Sequence, residues 1–280
     1  MDTKVICQVI TILFSFSLVS QVVGATFEND VTLTLEQKKV LDQFRNDLVG
    51  KLPHAYMETE MYLIKWLRTS NFQINSARER LSKNLRWRVE QNMDKIHTQD
   101  WSDMWDADFH YFTDGRDKLG RPYMFVPIGH ADARKMVLQG KGSRLSRYVD
   151  KVMDEFCNLV RESGEKYNTT RGTILYDMNG FNPLQHACLR CIPYILKNIV
   201  GYDNHFPECV DKAIFVKAPP SLHGLMDMGK PYIPEQFKKH IFIYGKSKQV
   251  WMKALRQDFD LTELPPSLGG SKIFERMNDE

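Results

Sequence analysis

Thr173-Ile174-Leu175-Tyr176-Asp177-Met178 is a run of β-branched, aliphatic and aromatic residues broken by one carboxylate. So short and apolar a run reads as a buried strand. Residues 123–128 (YMFVPI), 213–217 (AIFVK) and 241–244 (IFIY) have the same character. Helical stretches separate them. The best runs over residues 145–160, with apolar side chains at 145, 148, 149, 152, 153, 156, 159 and 160, a broad stripe that must pack on something. Strands alternating with helices predict an α/β fold, with a mostly parallel sheet and helices packed against it.

Upstream the period changes. Thr34-Leu35-Glu36-Gln37 has the form of a capping box, in which hydroxyl and amide satisfy orphan backbone donors at a helix start. Ile74, Ala77, Leu81, Leu85 and Val89 recur at spacings of three and four and predict a helix with one apolar face. Residues 34–98 are therefore expected to form a small helical domain, and residues 100–271, beginning at the acidic Trp-rich WSDMWDAD, the α/β domain. No internal repeat or low-complexity linker interrupts them.

The 280 residues carry a net charge of +3 with no basic stripe, which speaks against nucleic acid as a partner. Mean hydropathy of −0.41 excludes a polytopic membrane protein. The first segment departs from that polarity. Lys4 precedes an apolar run over residues 9–19, and Val23-Gly24-Ala25 offers small residues for cleavage, so residues 1–25 read as a signal peptide, with an uncleaved anchor as the alternative. Gln8, Thr11, three serines and Gln21 dilute the span and favour cleavage. The protein is thus expected to be secreted or to reside in the secretory lumen. There Cys157, Cys188, Cys191 and Cys209 are disulfide candidates, with three pairings open. Asn168-Thr169-Thr170 is an N-glycosylation sequon at Asn168.

Catalytic fingerprints are missing: there is no G-x-S-x-G, H-E-x-x-H or G-x-G-x-x-G after a strand. Gly245-Lys246-Ser247 lacks the glycine five positions earlier that a phosphate loop needs and reads as a surface turn. The histidines have no metal-ligand spacing, so neither a metal nor a cofactor is expected. Cys188-Leu189-Arg190-Cys191 is a C-x-x-C on an apolar stripe with Leu184, Ile192, Ile195 and Ile199, and both thiols read as core residues; a bridge from either to Cys157 or Cys209 is the alternative. Residues 222–237 are rich in Met and aromatic side chains and bounded by Pro219-Pro220, Pro231 and Pro234, as a short helix able to swing as a unit would be.

The ordered set YLIKWLRTSNFQINSA, DKLGRPYMFV, TILYDMNG, FPECVDKAIFVKAPP, KKHIFIYG and LPPSLGG resembles the CRAL-TRIO family of lipid-binding and lipid-transfer proteins over residues 34–271, most of all its animal phosphatidylinositol-transfer-like branch. The resemblance implies a non-enzymatic carrier that acts as a monomer. Its sheet would floor an apolar cavity for one lipid, gated by residues 220–228, and it would touch membranes transiently. The cavity residues it implies are Tyr123, Phe125, Leu175, Ile214 and Val216 on strands, Leu222, Leu225, Met226 and Met228 on the gate, and Tyr232, Ile233 and Phe237 just after it. For a phosphatidylinositol-type head group it implies Glu208 and Lys239, with Lys238 an equal alignment. The chain departs from the family pattern at Ser70-Asn71, where a basic pair is usual, and at Gln236, where a small hydroxyl residue is usual; the phosphatidylcholine contacts near Gly172 and Thr173 are not kept. Two alternatives follow: a carrier of a neutral isoprenoid such as a tocopherol, retinoid or carotenoid, and a secreted interaction protein with a vestigial cavity. An enzyme using Asp177 beside Asn179 is the remaining contender.

Overall fold

Thr34 opens the first helix as its pattern predicts: Gln37 N–H donates to Thr34 Oγ1 at 3.2 Å and Thr34 N–H donates to Gln37 Oε1 at 3.0 Å. The structure is a computed structural model that describes residues 30–275 apart from Pro234, so the leader expected over residues 1–25 lies outside the described residues. Helices α1 (Leu35–Leu48), α2 (Glu60–Arg68) and α3 (Ile74–Glu90) close around Leu41, Phe44, Leu63, Ile64, Trp66, Leu67, Ala77 and Leu81. Val89 is 81% exposed and leaves the predicted stripe. The buried line runs through Ala77, Leu81 and Asn84, because a period of 3.6 alternates steps of four and three. Asn84 then reaches across to donate to the His205 carbonyl at 3.2 Å.

After the short α4 (Ser102–Trp105), five strands form one sheet in sequential order: β1 (Phe112–Arg116), β2 (Pro122–Pro127), β3 (Gly172–Asp177), β4 (Val210–Val216) and β5 (Ile241–Ile243). β1 is antiparallel to β2 and every other pairing is parallel. The sheet is therefore the mostly parallel one expected, with an added edge. Nothing apolar announced β1, whose sequence is FTDGR. It pairs because Gly115 lies beneath the Tyr123 ring, where an added Cβ would fall 2.2 Å from a ring carbon.

Unreversed strand order sends the crossovers to one face. That face carries α5 (Ala133–Leu138), α6 (Gly142–Tyr167), α7 (Pro183–His186), α8 (Ile192–His205), α9 (Ser221–Gly229) and α10 (Glu235–Lys238). The predicted stripe of α6 packs inward through Leu145, Tyr148, Val152, Met153, Phe156 and Val160. On the other face Tyr123, Phe125, Leu175, Ile214 and Val216 meet α11 (Lys248–Asp258) and the tail, through Trp251, Leu255, Phe259, Leu264, Leu268 and Phe274. Buried charge ties the strands at one end: Arg121 donates to Asp117 at 2.7 Å and to Asp211 at 2.8 Å. Among the described residues no helix is long and apolar enough to cross a membrane.

Two disulfides select one of the three pairings. Cys157–Cys209 joins α6 to the start of β4, with Cα atoms 5.5 Å apart. Cys188–Cys191 closes a turn before α8, its Cα atoms 4.9 Å apart. This corrects the expectation of two core thiols. The stripe drawn through them crosses the turn that separates α7 from α8, so Cys191 is buried, Cys188 is half-buried and Leu184 is 75% exposed. Gly245-Lys246-Ser247 is an exposed bend leading into α11. Asn168 is exposed and ends α6 in the left-handed region, while Thr169 and Thr170 are buried.

Candidate functional site

A cavity of about 600 Å³ lies between the sheet and its helices. Its floor is Ile174, Tyr176, Ala213, Phe215 and Ile241; α6 adds Val149 and Met153. α8 forms one wall with Ile192, Ile195, Leu196, Asn198, Ile199 and Tyr202. The opposite wall is the segment anticipated as a gate and the residues just after it: Leu225, Met226, Met228, Tyr232, Ile233 and Phe237 all line the cavity. Leu222 does not. It is 2% exposed and packs on Met178 and Ala218, anchoring the start of α9 outside the cavity.

The lining includes no Asp, Glu, Lys or Arg. Its polar atoms belong to Asn198, which accepts from Ser146 Oγ at 2.6 Å, and to tyrosines. Burial pushes the Tyr176 hydroxyl up to about 12 and Tyr202 higher, so both stay neutral. Tyr176 stacks on Phe215 at 4.6 Å between centroids, and Tyr202 meets Phe237 at 5.4 Å. Such a surface suits an uncharged, largely hydrocarbon ligand. Asp177, the residue on which catalysis would rest, is held by Lys217 at 2.7 Å and by the Asn179 N–H at 3.0 Å, and does not line the cavity.

The strand residues need correction. Tyr123, Phe125, Leu175, Ile214 and Val216 all point to the face packed on α11. The register sets Phe125 beside Leu175 and Leu175 beside Ile214, so these share one face, and their neighbours Ile174, Ala213 and Phe215 take the other. A strand buried on both faces shows no polar alternation, so sequence cannot fix its phase. α8 was under-read for a related reason. It is apolar, yet no residue along it is buried, as expected of a helix whose apolar side borders a cavity rather than a packed core.

Neither head-group candidate lines the cavity, and no ion pair joins the two. Glu208, at a positive φ of 52°, takes Arg68 at 3.4 Å and Arg171 at 3.3 Å, in a cluster with Asp30 between α2 and the strand starts. Lys239 is exposed before β5, and Lys238 pairs with Glu235 at 2.6 Å. Ser70 is buried and Asn71 exposed. Among the described residues no three His, Cys, Asp or Glu side chains gather as metal ligands would.

The pattern of the CRAL/TRIO domain family matches residues 106–270. A CRAL-TRIO domain-containing protein of Caenorhabditis elegans is 24% identical over 227 residues, 79% of this chain and 30% of the relative. One of Saccharomyces cerevisiae is 26% identical over 263 residues, covering 89% and 82%. Protein real-time of Aedes aegypti is 23% identical over 243 residues, covering 85% and 37%. The chain thus spans about a third of the length of the nematode and mosquito relatives. Among solved structures, that of Sfh5 aligns with a TM-score of 0.56 over 80% of this chain and 85% of that one, at 14% identity, a likeness of fold.

Proposed function

Because the chain belongs to the CRAL/TRIO domain family, whose members are lipid-binding and lipid-transfer proteins, we propose that it holds one apolar lipid between the sheet and α9 and exchanges it with membranes, as a carrier rather than a catalyst. The uncharged lining of the cavity carries this reading. A sixteen-carbon chain leaving a bilayer forgoes about 13 kcal/mol at 0.8 kcal/mol per methylene, so transfer needs a closed apolar receptacle. It also needs a way in. The segment from Pro220 to Met228 is the natural door, being short, opened by a proline pair and half-exposed at Leu225 and Met226.

Of the anticipated cargoes, a neutral isoprenoid suits the lining better than a phosphatidylinositol-type phospholipid, since Glu208 already satisfies two arginines and lies off the cavity. The two disulfides, the exposed Asn168 and the leader pattern over residues 1–25 support a secreted or lumenal, glycosylated carrier. The test is a mass spectrum of organic extract from the purified protein, paired with exchange between liposomes. One dominant neutral lipid is expected. A phosphatidylinositol whose retention falls in Glu208→Ala and Lys239→Ala would restore the head-group reading, and an empty extract with no exchange would end the carrier reading.

A further inference from the structure

A second cavity, of about 270 Å³, lies between α2, α6 and residues 205–209, and shares no lining residue with the larger one. Its chemistry is different. Tyr56, Tyr62 and Trp66 line one side as a ladder of rings, with centroids 5.6 and 6.2 Å apart. Lys65, Arg88 and Arg161 bring positive charge, and Asp154 is the one carboxylate of the lining. Asp154 is engaged by Arg88 at 2.7 Å and by His97 at 2.8 Å. Arg161 lies over the Tyr56 ring at 4.7 Å.

Lys65 is not matched in this way. Its ammonium donates to the Thr170 carbonyl at 3.1 Å, and among the described residues no carboxylate comes within ion-pair distance of it. The nearby Glu208 and Asp30 are taken by Arg68 and Arg171. Thr169 Oγ1, on a residue 4% exposed, is a buried hydroxyl of the lining with no hydrogen-bond partner among the described residues. Buried donors without acceptors are rare in folded proteins and point to a ligand that supplies one.

We infer that this cavity binds a small organic anion, a carboxylate or phosphate on an aromatic or compact apolar body, with the oxyanion at Lys65 and Thr169 and the body against Tyr56, Tyr62 and Trp66. The space is less than half that of the larger cavity, so a long acyl chain is not the occupant. His205 adds no opposing or attracting charge, because burial holds its imidazole down near 4 and neutral. The inference does not rest on the lipid reading.

Calorimetric titration of the full chain with phenyl phosphate, inorganic phosphate and benzyl alcohol tests it. Phenyl phosphate is expected to saturate one site, and the other two, each lacking half of the recognised chemistry, to bind at least tenfold more weakly. Lys65→Met and the near-isosteric Thr169→Val should each weaken phenyl phosphate by ten- to a hundredfold, whereas Ala213→Phe, which fills the larger cavity, should leave it unchanged. Thr169→Val keeps the test decisive if Lys65→Met does not fold. Absence of saturable phenyl phosphate binding, equal affinity for inorganic phosphate, or loss of binding in Ala213→Phe would each overturn the assignment.

Discussion

Neighbouring residues on β4 make the strand phase measurable. Ala213 lines the cavity, whereas Ile214, 3% exposed, sits in the closed core with Leu175, Phe125 and Val216. Ala213→Phe adds a phenyl ring that projects into open space, so it escapes the overpacking cost of a filled core and should change stability by less than about 1 kcal/mol. The ring's six carbons take room that about six cargo methylenes would occupy, and at roughly 0.8 kcal/mol each the loss is about 5 kcal/mol. That is between three and four decades in the retention equilibrium. Ile214→Ala should do the reverse, costing about 2–5 kcal/mol in unfolding free energy while cargo stays bound. Urea midpoints and exchange of a fluorescent lipid between liposomes read both properties on the same preparations. If Ala213→Phe exchanges lipid normally, or Ile214→Ala loses cargo at unchanged stability, the assignment of faces is wrong.

The two disulfides should differ in worth, because chain entropy scales with the logarithm of the loop closed. For separations of 52 and 3 residues it gives about 4 kcal/mol for Cys157–Cys209 and about 1.5 kcal/mol for Cys188–Cys191, so paired Cys→Ser variants of each should show unequal urea midpoints, and equal losses would contradict the entropic account. Asp150, 8% exposed, is held up to about 6 chiefly by burial, against an ordinary value of about 3.9. The folded state therefore binds more protons than the unfolded one between about pH 4 and 6, and stability falls as pH rises through that window. Asp150→Asn should raise the melting temperature at pH 7.5, by the equivalent of about 3 kcal/mol at most, and have little effect at pH 4.5; the same shift at both pH values would exclude the desolvated carboxylate as its cause.

What the sequence disclosed follows a physical division. Elements were legible where one periodicity dominates, as in the α6 stripe or the capping box at Thr34, and the parallel sheet followed from their alternation. The wall from Leu225 to Phe237 was legible because its prolines and methionines set it apart. The floor was not: choosing Leu175 and Ile214 over Ile174 and Ala213 is a one-residue phase error, and only the pairing register resolves it. The C-x-x-C was misread because an apolar spacing was carried across the turn between α7 and α8. The smaller cavity was invisible because Thr169 lies far along the chain from Tyr56 and Lys65 and meets them only when the helical segment docks on α6.

The back of the sheet has a consequence for how the chain is made. Synthesis is vectorial, and β2, β3 and β4 leave the ribosome well before Trp251, Leu255, Phe259, Leu264, Leu268 and Phe274, which cover their apolar row. During that interval the nascent sheet presents a hydrocarbon face that only Phe112 and Trp105 partly cover from the N-terminal side, since the crossovers all lie on the other side. A chain interrupted after β5 therefore leaves this apolar row half-covered, whereas one extended through Phe274 covers it.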